Sequence, residues 1–322
     1  MNKNVIVGVD IGGTTVKIGF IKSNGEIITK WEIHTNTDSA GTSIVDDIWN
    51  AISHRAKELS IHQGEFLGIG VGAPGFIDSK NGYVYEAVNI GWRDFELSDY
   101  LSRKSGLPVF AENDANIAVL GENWLGAGHN SNDVIAITLG TGVGGGVIAG
   151  GNILNGVNGT AGEIGHITVD PNGYPCNCGR RGCLETIASA TGIVRQAMKI
   201  IENDSASKLA EVYHENGTLS AKDIFALAEL GDQDSMKIIE HIADVIGLVI
   251  ANMTATLNPS KILIGGGVSK AGDQLLSPIR NAFNKYALPR ASEACELSLA
   301  ELGNDAGIIG AAYLVKQQLI NA

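Results

Sequence analysis

Positive charge is scarce in this sequence. Lys and Arg number 23 against 35 Asp and Glu, and the formal net charge is −12. A balance this acidic argues against general nucleic-acid or anionic-membrane binding. Any phosphate site must therefore use backbone N–H groups, helix ends and metal ions in place of a basic field. The usual phosphate motifs are missing too. No Gly-x-x-x-x-Gly-Lys-Ser/Thr occurs, and no Gly-x-Gly-x-x-Gly falls in a βαβ unit, which disfavours P-loop and dinucleotide enzymes. Long apolar runs are short or interrupted. The first, residues 5–9, is ended by Asp10 and is too short for a signal peptide. No stretch approaches a spanning length, and the most apolar, 245–251, sits inside an amphipathic pattern. The expected location is the cytoplasm. Cysteine is limited to 4 residues, and nothing points to an oxidising compartment.

What is abundant is glycine, 42 residues that fall in clusters. The chain has 322 residues, too many for one small core, so two domains are expected. Its organising stretch runs from Gly162 to Glu185. Gly162-Glu163-Ile164-Gly165-His166 opens it, and Cys176-Asn177-Cys178-Gly179-Arg180-Arg181-Gly182-Cys183-Leu184-Glu185 closes it. Three thiols and one imidazole, from Cys176, Cys178, Cys183 and His166, make the donor set of a closed structural zinc site. A disulfide with a spare thiol is the alternative; a thioredoxin-like pair needs Cys-x-x-Cys, and this is Cys-x-Cys. A metal tying the two segments together brings Glu163 and Glu185 close. Those carboxylates, with His166, then face a small polar substrate. Cys295, far away, reads as a small core residue.

Along the chain, 5–9, 16–21 and 26–33 read as strands, with a turn at Asp10-Ile11-Gly12-Gly13-Thr14-Thr15. Helices are expected at 43–59, from 116 to about 125, at 185–201, 221–230, 233–257 and 275–286, and from 304–305 to about 319. Further strands are expected at 66–71, 109–111, 134–139, 147–149, 262–264 and 296–299. The 134–149 segment repeats the opening plan of strand, Gly-Thr turn and strand, so two related lobes are expected, each a mixed sheet flanked by helices. The expected division is a small α/β lobe, 1–118 plus 304–322, and a large α/β lobe, 119–303, that holds the zinc motif 166–183. A hinge is placed near 114–125, with a return crossing near 303–307.

Three glycine clusters follow strands, at Gly12-Gly13, at 140–146 with Gly140, Thr141 and Gly142 leading, and at Gly265-Gly266-Gly267. Each alone reads as a simple turn. Together, with the hydroxyls of Thr14 and Thr141, they fit a nucleotide held between two lobes, its adenosine against the last cluster. Asp10 is placed to hold magnesium through water, or to close an Asx-turn. Lys17 reaches a phosphate or lies on the outer face of an edge hairpin. Asn113-Asp114 stands where a strand meets a helix. It is either an N-cap or the site of a general base, Asp114, that takes a proton from an attacking hydroxyl.

Asp10-x-Gly-Gly-Thr, Glu112-Asn113-Asp114, Leu139-Gly140-Thr141-Gly142-x-Gly144, Glu163-x-Gly165-His166 and the cysteine block together resemble the ROK family of repressors and sugar kinases. The resemblance covers the whole chain. Within the family it is nearest the bacterial glucokinases, through Asn89-Ile90-Gly91-Trp92, Glu112-Asn113-Asp114-Ala115-Asn116 and Thr186-Ile187-Ala188-Ser189. It implies an actin-like ATPase fold, related to ribonuclease H, with ATP and sugar in a cleft. It implies that Asp114 is catalytic, that Gly75, Asn113, Asp114, Glu163, His166 and Glu185 contact the sugar, and that His166, Cys176, Cys178 and Cys183 hold zinc. It implies a homodimer or larger assembly. The expected reaction is ATP-dependent phosphorylation of the glucose 6-hydroxyl, with magnesium. The alternatives are another hexose (N-acetylmannosamine, N-acetylglucosamine or fructose) or a non-catalytic sugar sensor. A family repressor would carry a helix-turn-helix before the first glycine hairpin, which here begins within ten residues of Met1.

Overall fold

The computed structural model describes residues 3–319; residues 1–2 and 320–322, at the ends of the two expected small-lobe segments, lie outside the described residues. Thirteen strands follow in chain order among the described residues. They are β1 (Val5–Ile11), β2 (Thr15–Lys22), β3 (Ile27–His34), β4 (Phe66–Ala73), β5 (Phe76–Asp78), β6 (Tyr83–Ala87), β7 (Trp92–Phe95) and β8 (Val109–Asn113). The second half contributes β9 (Val134–Leu139), β10 (Val143–Ala149), β11 (Asn152–Ile153), β12 (Lys261–Gly265) and β13 (Glu296–Leu299).

Two five-stranded sheets share one plan. The first has order β3-β2-β1-β4-β8 and the second β11-β10-β9-β12-β13. In each, a hairpin (β1–β2 or β9–β10) is antiparallel, and the two strands beyond it are added in parallel. The repeated plan matches the likeness of the two Gly-Thr hairpins in the sequence. Central β1 is buried on both faces, as a strand covered by helices must be. Edge strand β3 alternates half-buried and exposed residues, as a strand with one wet face should. The small sheet β5-β6-β7 packs its Ile77, Val84 and Trp92 into the core below the first sheet. The sequence reading missed it, because its strands are short and weakly patterned.

The helix Asp114–Leu125 starts where β8 ends and packs against the helix Ala306–Leu319, with Gly121 and Gly310 at the crossing. Both helices carry buried residues on several sides, as helices wedged between sheets do. The 25-residue helix Gln233–Leu257 carries the core of the second half, with Ile239, Ile242, Ile246 and Ile250 inside. By length and composition it is apolar enough to span a bilayer, which corrects the expectation that no stretch comes near. It packs on the helices Asp273–Tyr286, Ala190–Asn203 and Ala221–Glu229 instead. Met236, expected on its inner face, is 37% exposed.

Other elements depart from the sequence reading. The expected helix 185–201 is two helices, Glu185–Ala188 and Ala190–Asn203, broken at Ser189. The Ser189 side chain accepts the Gly192 N–H and caps the second. Strand β10 begins at Val143 and runs through Gly144-Gly145-Gly146, which the sequence reading took as turn. A Cβ at Gly145 would stand 2.6 Å from the Gly162 carbonyl oxygen, so glycine lets the 162–165 turn lie directly on the strand.

Candidate active site

Asp114 sits at the junction of β8 and the Asp114–Leu125 helix. Asn113 is the N-cap: its Oδ1 accepts the N–H groups of Ala115 and Asn116, and its Nδ2 donates to the Gly75 carbonyl at 3.0 Å. Gly75 holds φ of +92°, and a Cβ there would fall 2.0 Å from the Glu86 carbonyl oxygen. Only glycine fits that turn. Asn113 thus takes the capping role, and the Asp114 carboxyl accepts the Ala115 N–H at 2.8 Å.

Burial pushes the Asp114 carboxyl up to about 6 from its ordinary 3.8, and the charges of Asp10 and Glu163 push in the same direction. The Ala115 N–H opposes them. Three carboxylates from distant parts of the chain therefore converge. Asp10, at the end of β1, is itself raised, by burial first, while the positive charge of Lys17 works against that. Lys17 Nζ lies 3.9 Å from Oδ2 of Asp10, its cross-strand partner in the β1–β2 hairpin. A carboxyl tuned toward neutrality suits a proton acceptor.

The cysteine block folds into a compact knuckle tied by bridges Thr168–Cys183 and Pro175–Arg181. The ligand atoms of His166, Cys176, Cys178 and Cys183 all lie within 4.8 Å of one another. Cys178 Sγ and Cys183 Sγ are 3.6 Å apart, as are Cys176 Sγ and His166 Nδ1. A tetrahedral ion with ligand bonds of about 2.3 Å calls for ligand separations of about 3.8 Å. The four residues fit a metal, and all four cysteines are free of disulfides. Cys295 is buried in the core of the second half, and burial pushes its thiol up to about 11.

Each carboxylate of this region lies against the cysteine-histidine knuckle. His166 turns Nδ1 to the thiols, while its Nε2 lies 3.9 Å from Glu163 Oε2. One ring nitrogen thus serves each side. Glu185 Oε2 accepts the Val143 N–H at 3.0 Å, and its Oε1 lies 3.6 Å from Cys176 Sγ. Glu185 is therefore held between the metal cluster and the start of β10, beside Gly142.

The glycine clusters form turns at strand ends. In the first hairpin the Gly12 N–H bonds the Thr15 carbonyl, and the Gly12 carbonyl accepts from the Thr35 hydroxyl. Gly13 and Thr14 at its tip are exposed. In the second, the Gly140 N–H bonds the Gly142 carbonyl, while the carbonyls of Gly140 and Thr141 accept from the Ala190 N–H and the Thr191 hydroxyl. Gly265, Gly266 and Gly267 line a cavity of about 350 Å³ with Thr138, Ala300, Glu301 and Asn304. It lies at the C-terminal ends of β9, β12 and β13, where open α/β sheets bind ligands. Neither Asp10 nor Gly140 borders that cavity, but a Cβ built at Gly266 would stand 2.4 Å from the Leu139 carbonyl oxygen, next to Gly140.

Sequence reasoning assigned no role to Glu112 or Asn155. Glu112 is buried, at 3% exposure, and accepts three N–H donors, one from Asn155. Its place beside Asn113-Asp114 was the one available signal, and Asn155 offered none.

A family model described as the ROK family matches residues 6–318. The chain is 54% identical to a glucokinase of Halalkalibacterium halodurans, covering 99% of this chain and 97% of that one. It is 37% identical to a glucokinase of Thermotoga maritima, over 99% of both chains. Among solved structures, it superposes with a TM-score of 0.78 on a ROK family glucokinase from Streptomyces griseus in complex with glucose and AMPPNP, at 36% identity and over 97% and 99% of the two chains. The chain, with its paired sheets of one plan and its His-Cys-Cys-Cys knuckle, belongs to the ROK family.

Proposed function

We propose that this chain is an ATP-dependent sugar kinase and that its sugar is glucose, phosphorylated at the 6-hydroxyl. The carrying observation is the convergence on Asp114 of a raised pKa, a fixed backbone and the carboxylates Asp10 and Glu163. Asp114 takes the hydroxyl proton as the oxygen attacks the γ-phosphoryl group. Glu163, His166, Glu185, Asn113 and the Gly75 turn hold the ring hydroxyls. Polar groups held in fixed positions reject a sugar that lacks the matching hydroxyl, because they are then left unpaired. The turns at Gly12-Gly13-Thr14 and Gly140-Thr141-Gly142 offer backbone N–H groups and hydroxyls to the phosphates, Lys17 adds a charge, and Gly265-Gly266-Gly267 lines the adenosine end. Asp10 holds magnesium through water; the ion, when bound, neutralises charge on the phosphates.

The His166-Cys176-Cys178-Cys183 cluster suits zinc in a structural role, since a donor set closed by four protein ligands leaves no open position for catalysis. The hinge is assigned to the crossing of the Asp114–Leu125 and Ala306–Leu319 helices, between lobes 1–118 plus 304–322 and 119–303. A cytoplasmic location and a homodimer or larger assembly complete the reading, and sedimentation of the purified chain tests the assembly. A coupled ADP-release assay over glucose, N-acetylmannosamine, N-acetylglucosamine and fructose tests the function. Glucose should give the highest kcat/KM. A preference for another hexose would change the substrate, and glucose binding without turnover would make the chain a sensor.

A further inference from the structure

A polar cluster away from the sugar carboxylates ties three separate segments together. Its centre is Glu112, buried at the end of β8. Glu112 Oε1 accepts the Asn113 backbone N–H at 2.8 Å and Asn116 Nδ2 at 3.0 Å. Its Oε2 accepts Asn155 Nδ2 at 3.0 Å. Asn155 is fully engaged in turn. Its Nδ2 also donates to Ser79 Oγ at 2.6 Å, and its Oδ1 accepts Asn116 Nδ2 at 3.1 Å.

The placement gives the cluster its consequence. Asn113 and Asn116 flank Asp114 on the first helical turn. Asn155 stands two residues beyond β11, in the opposite sheet, and starts the segment that leads to Glu163. Its own carbonyl accepts the Ala161 N–H and closes that segment into a loop. Ser79 follows β5, in the small sheet. The loop touches the same small sheet again, where the Ile77 carbonyl oxygen lies 2.9 Å from a Cβ built at Gly159. The turn bearing Asp114 and the loop that leads to Glu163 therefore share one anchor, with Glu112 buried at its centre. An anionic acceptor surrounded by N–H donors makes bonds roughly twice as strong as neutral ones, which suits a fixed joint.

We propose that Glu112 and Asn155 are a positioning pair that holds the Asp114 turn and the Glu163 loop in register across the cleft. This rests on the sugar-kinase reading for its catalytic consequence, though the structural link stands apart from it. Neither residue lines the 265–267 cavity, so the pair acts on the sugar and not on the nucleotide.

The test exchanges the two functional groups. Asn155→Asp sets a second carboxylate against Glu112 and removes the donors to Glu112 and Ser79. A displacement of about 1 Å at a reacting centre can cost about 10²-fold in rate, so kcat should fall by roughly tenfold to hundredfold. The KM for ATP should stay at its wild-type value. Combining Glu112→Gln with Asn155→Asp reverses the polarity of the pair. The amide placed at position 112 donates to the carboxylate placed at position 155, and the Ser79 hydroxyl donates to that carboxylate as well. The amide oxygen at position 112 still accepts from Asn113 and Asn116. That double variant should recover kcat to within about threefold of wild type, as a direct pairwise coupling requires. Asn155→Asp at wild-type kcat, or a double variant no better than the single, overturns the proposal.

Hydrogen exchange of the Asn113 and 156–162 amides reads the link without turnover. It should speed up in Asn155→Asp and in Asn155→Ala, and return in the double variant. Unchanged exchange overturns the link even if every variant folds poorly enough to lose activity. A wild-type chain that phosphorylates no sugar sinks the kinase reading alone, and exchange then decides the anchor.

Discussion

Replacing Asp114 with Asn separates chemistry from folding, because the two effects have opposite signs. The Asn side chain keeps an oxygen for the Ala115 N–H and nearly the same volume. It cannot take a proton from a hydroxyl. General-base catalysis contributes about 10²–10⁴-fold, so kcat should fall by that factor, or roughly 3–5 kcal/mol in the barrier. Stability should move the other way. The Asp114 carboxyl rises from 3.8 to about 6 on folding, so its charged form is disfavoured in the native state. Two units correspond to about 3 kcal/mol, and water reaching a half-buried carboxyl reduces this to roughly 1–2 kcal/mol.

The sign follows from linkage. A carboxyl raised on folding carries no penalty below pH 3.8, where it is protonated in both states. The penalty grows as pH rises through the window from 3.8 to about 6 and is complete above it. Asp114→Asn removes it. At pH 7.5, without nucleotide or metal, the variant should melt about 2–4 °C above the wild type, and the gap should shrink toward pH 4. Scanning fluorimetry at several pH values, beside a coupled ADP-release assay, measures both effects. A variant that melts lower at pH 7.5, or keeps kcat within about threefold, would refute the reasoning.

Other outcomes follow from the same geometry. Below pH 6, kcat/KM for sugar should fall about tenfold per unit, as the Asp114 base becomes protonated. Asp10→Asn removes a charge that raises Asp114, so it should move that acid limb to lower pH; an unmoved limb would mean another group titrates. Protein purified without added metal should hold about one zinc per chain by elemental analysis. Cys178→Ser should lose that zinc and raise the KM for sugar roughly 10–100-fold with little change in the KM for ATP, since Glu163 and Glu185 lean on the cluster. Full sugar affinity in metal-free protein would contradict it.

Local pattern carried much of the fold into view. The apolar run 5–9 marked β1, although the strand continues through Asp10 to Ile11, and the helix Gln233–Leu257 has a capping Asp232 and a left-handed Asn258 at its end, so both helix boundaries were legible. The break at Ser189 was not, because apolar residues continue in helical register on both sides while the serine caps the second helix. The His-Cys-Cys-Cys knuckle was legible because its residues sit within eighteen positions of one another, 166–183, and the donor chemistry is distinctive. The Glu112–Asn155 link joins residues 43 positions apart through common polar side chains, and nothing in the local pattern marks it. Asn113 and Asp114 show a divided outcome. Strand end and helix start allowed either a cap or a base at this pair, and the structure gives the cap to Asn113 and sets the Asp114 carboxyl within the field of Asp10 and Glu163.

The central claim is that Asp114 stands against the hydroxyl that reacts. A crystal structure with glucose and a non-hydrolysable ATP analogue measures that contact directly. The account predicts the glucose O6 about 2.6–3.2 Å from an Asp114 carboxylate oxygen, with Glu163 and Glu185 on other ring hydroxyls. Glucose bound with its O6 far from Asp114, or an Asp114 carboxyl turned away to solvent, would contradict it.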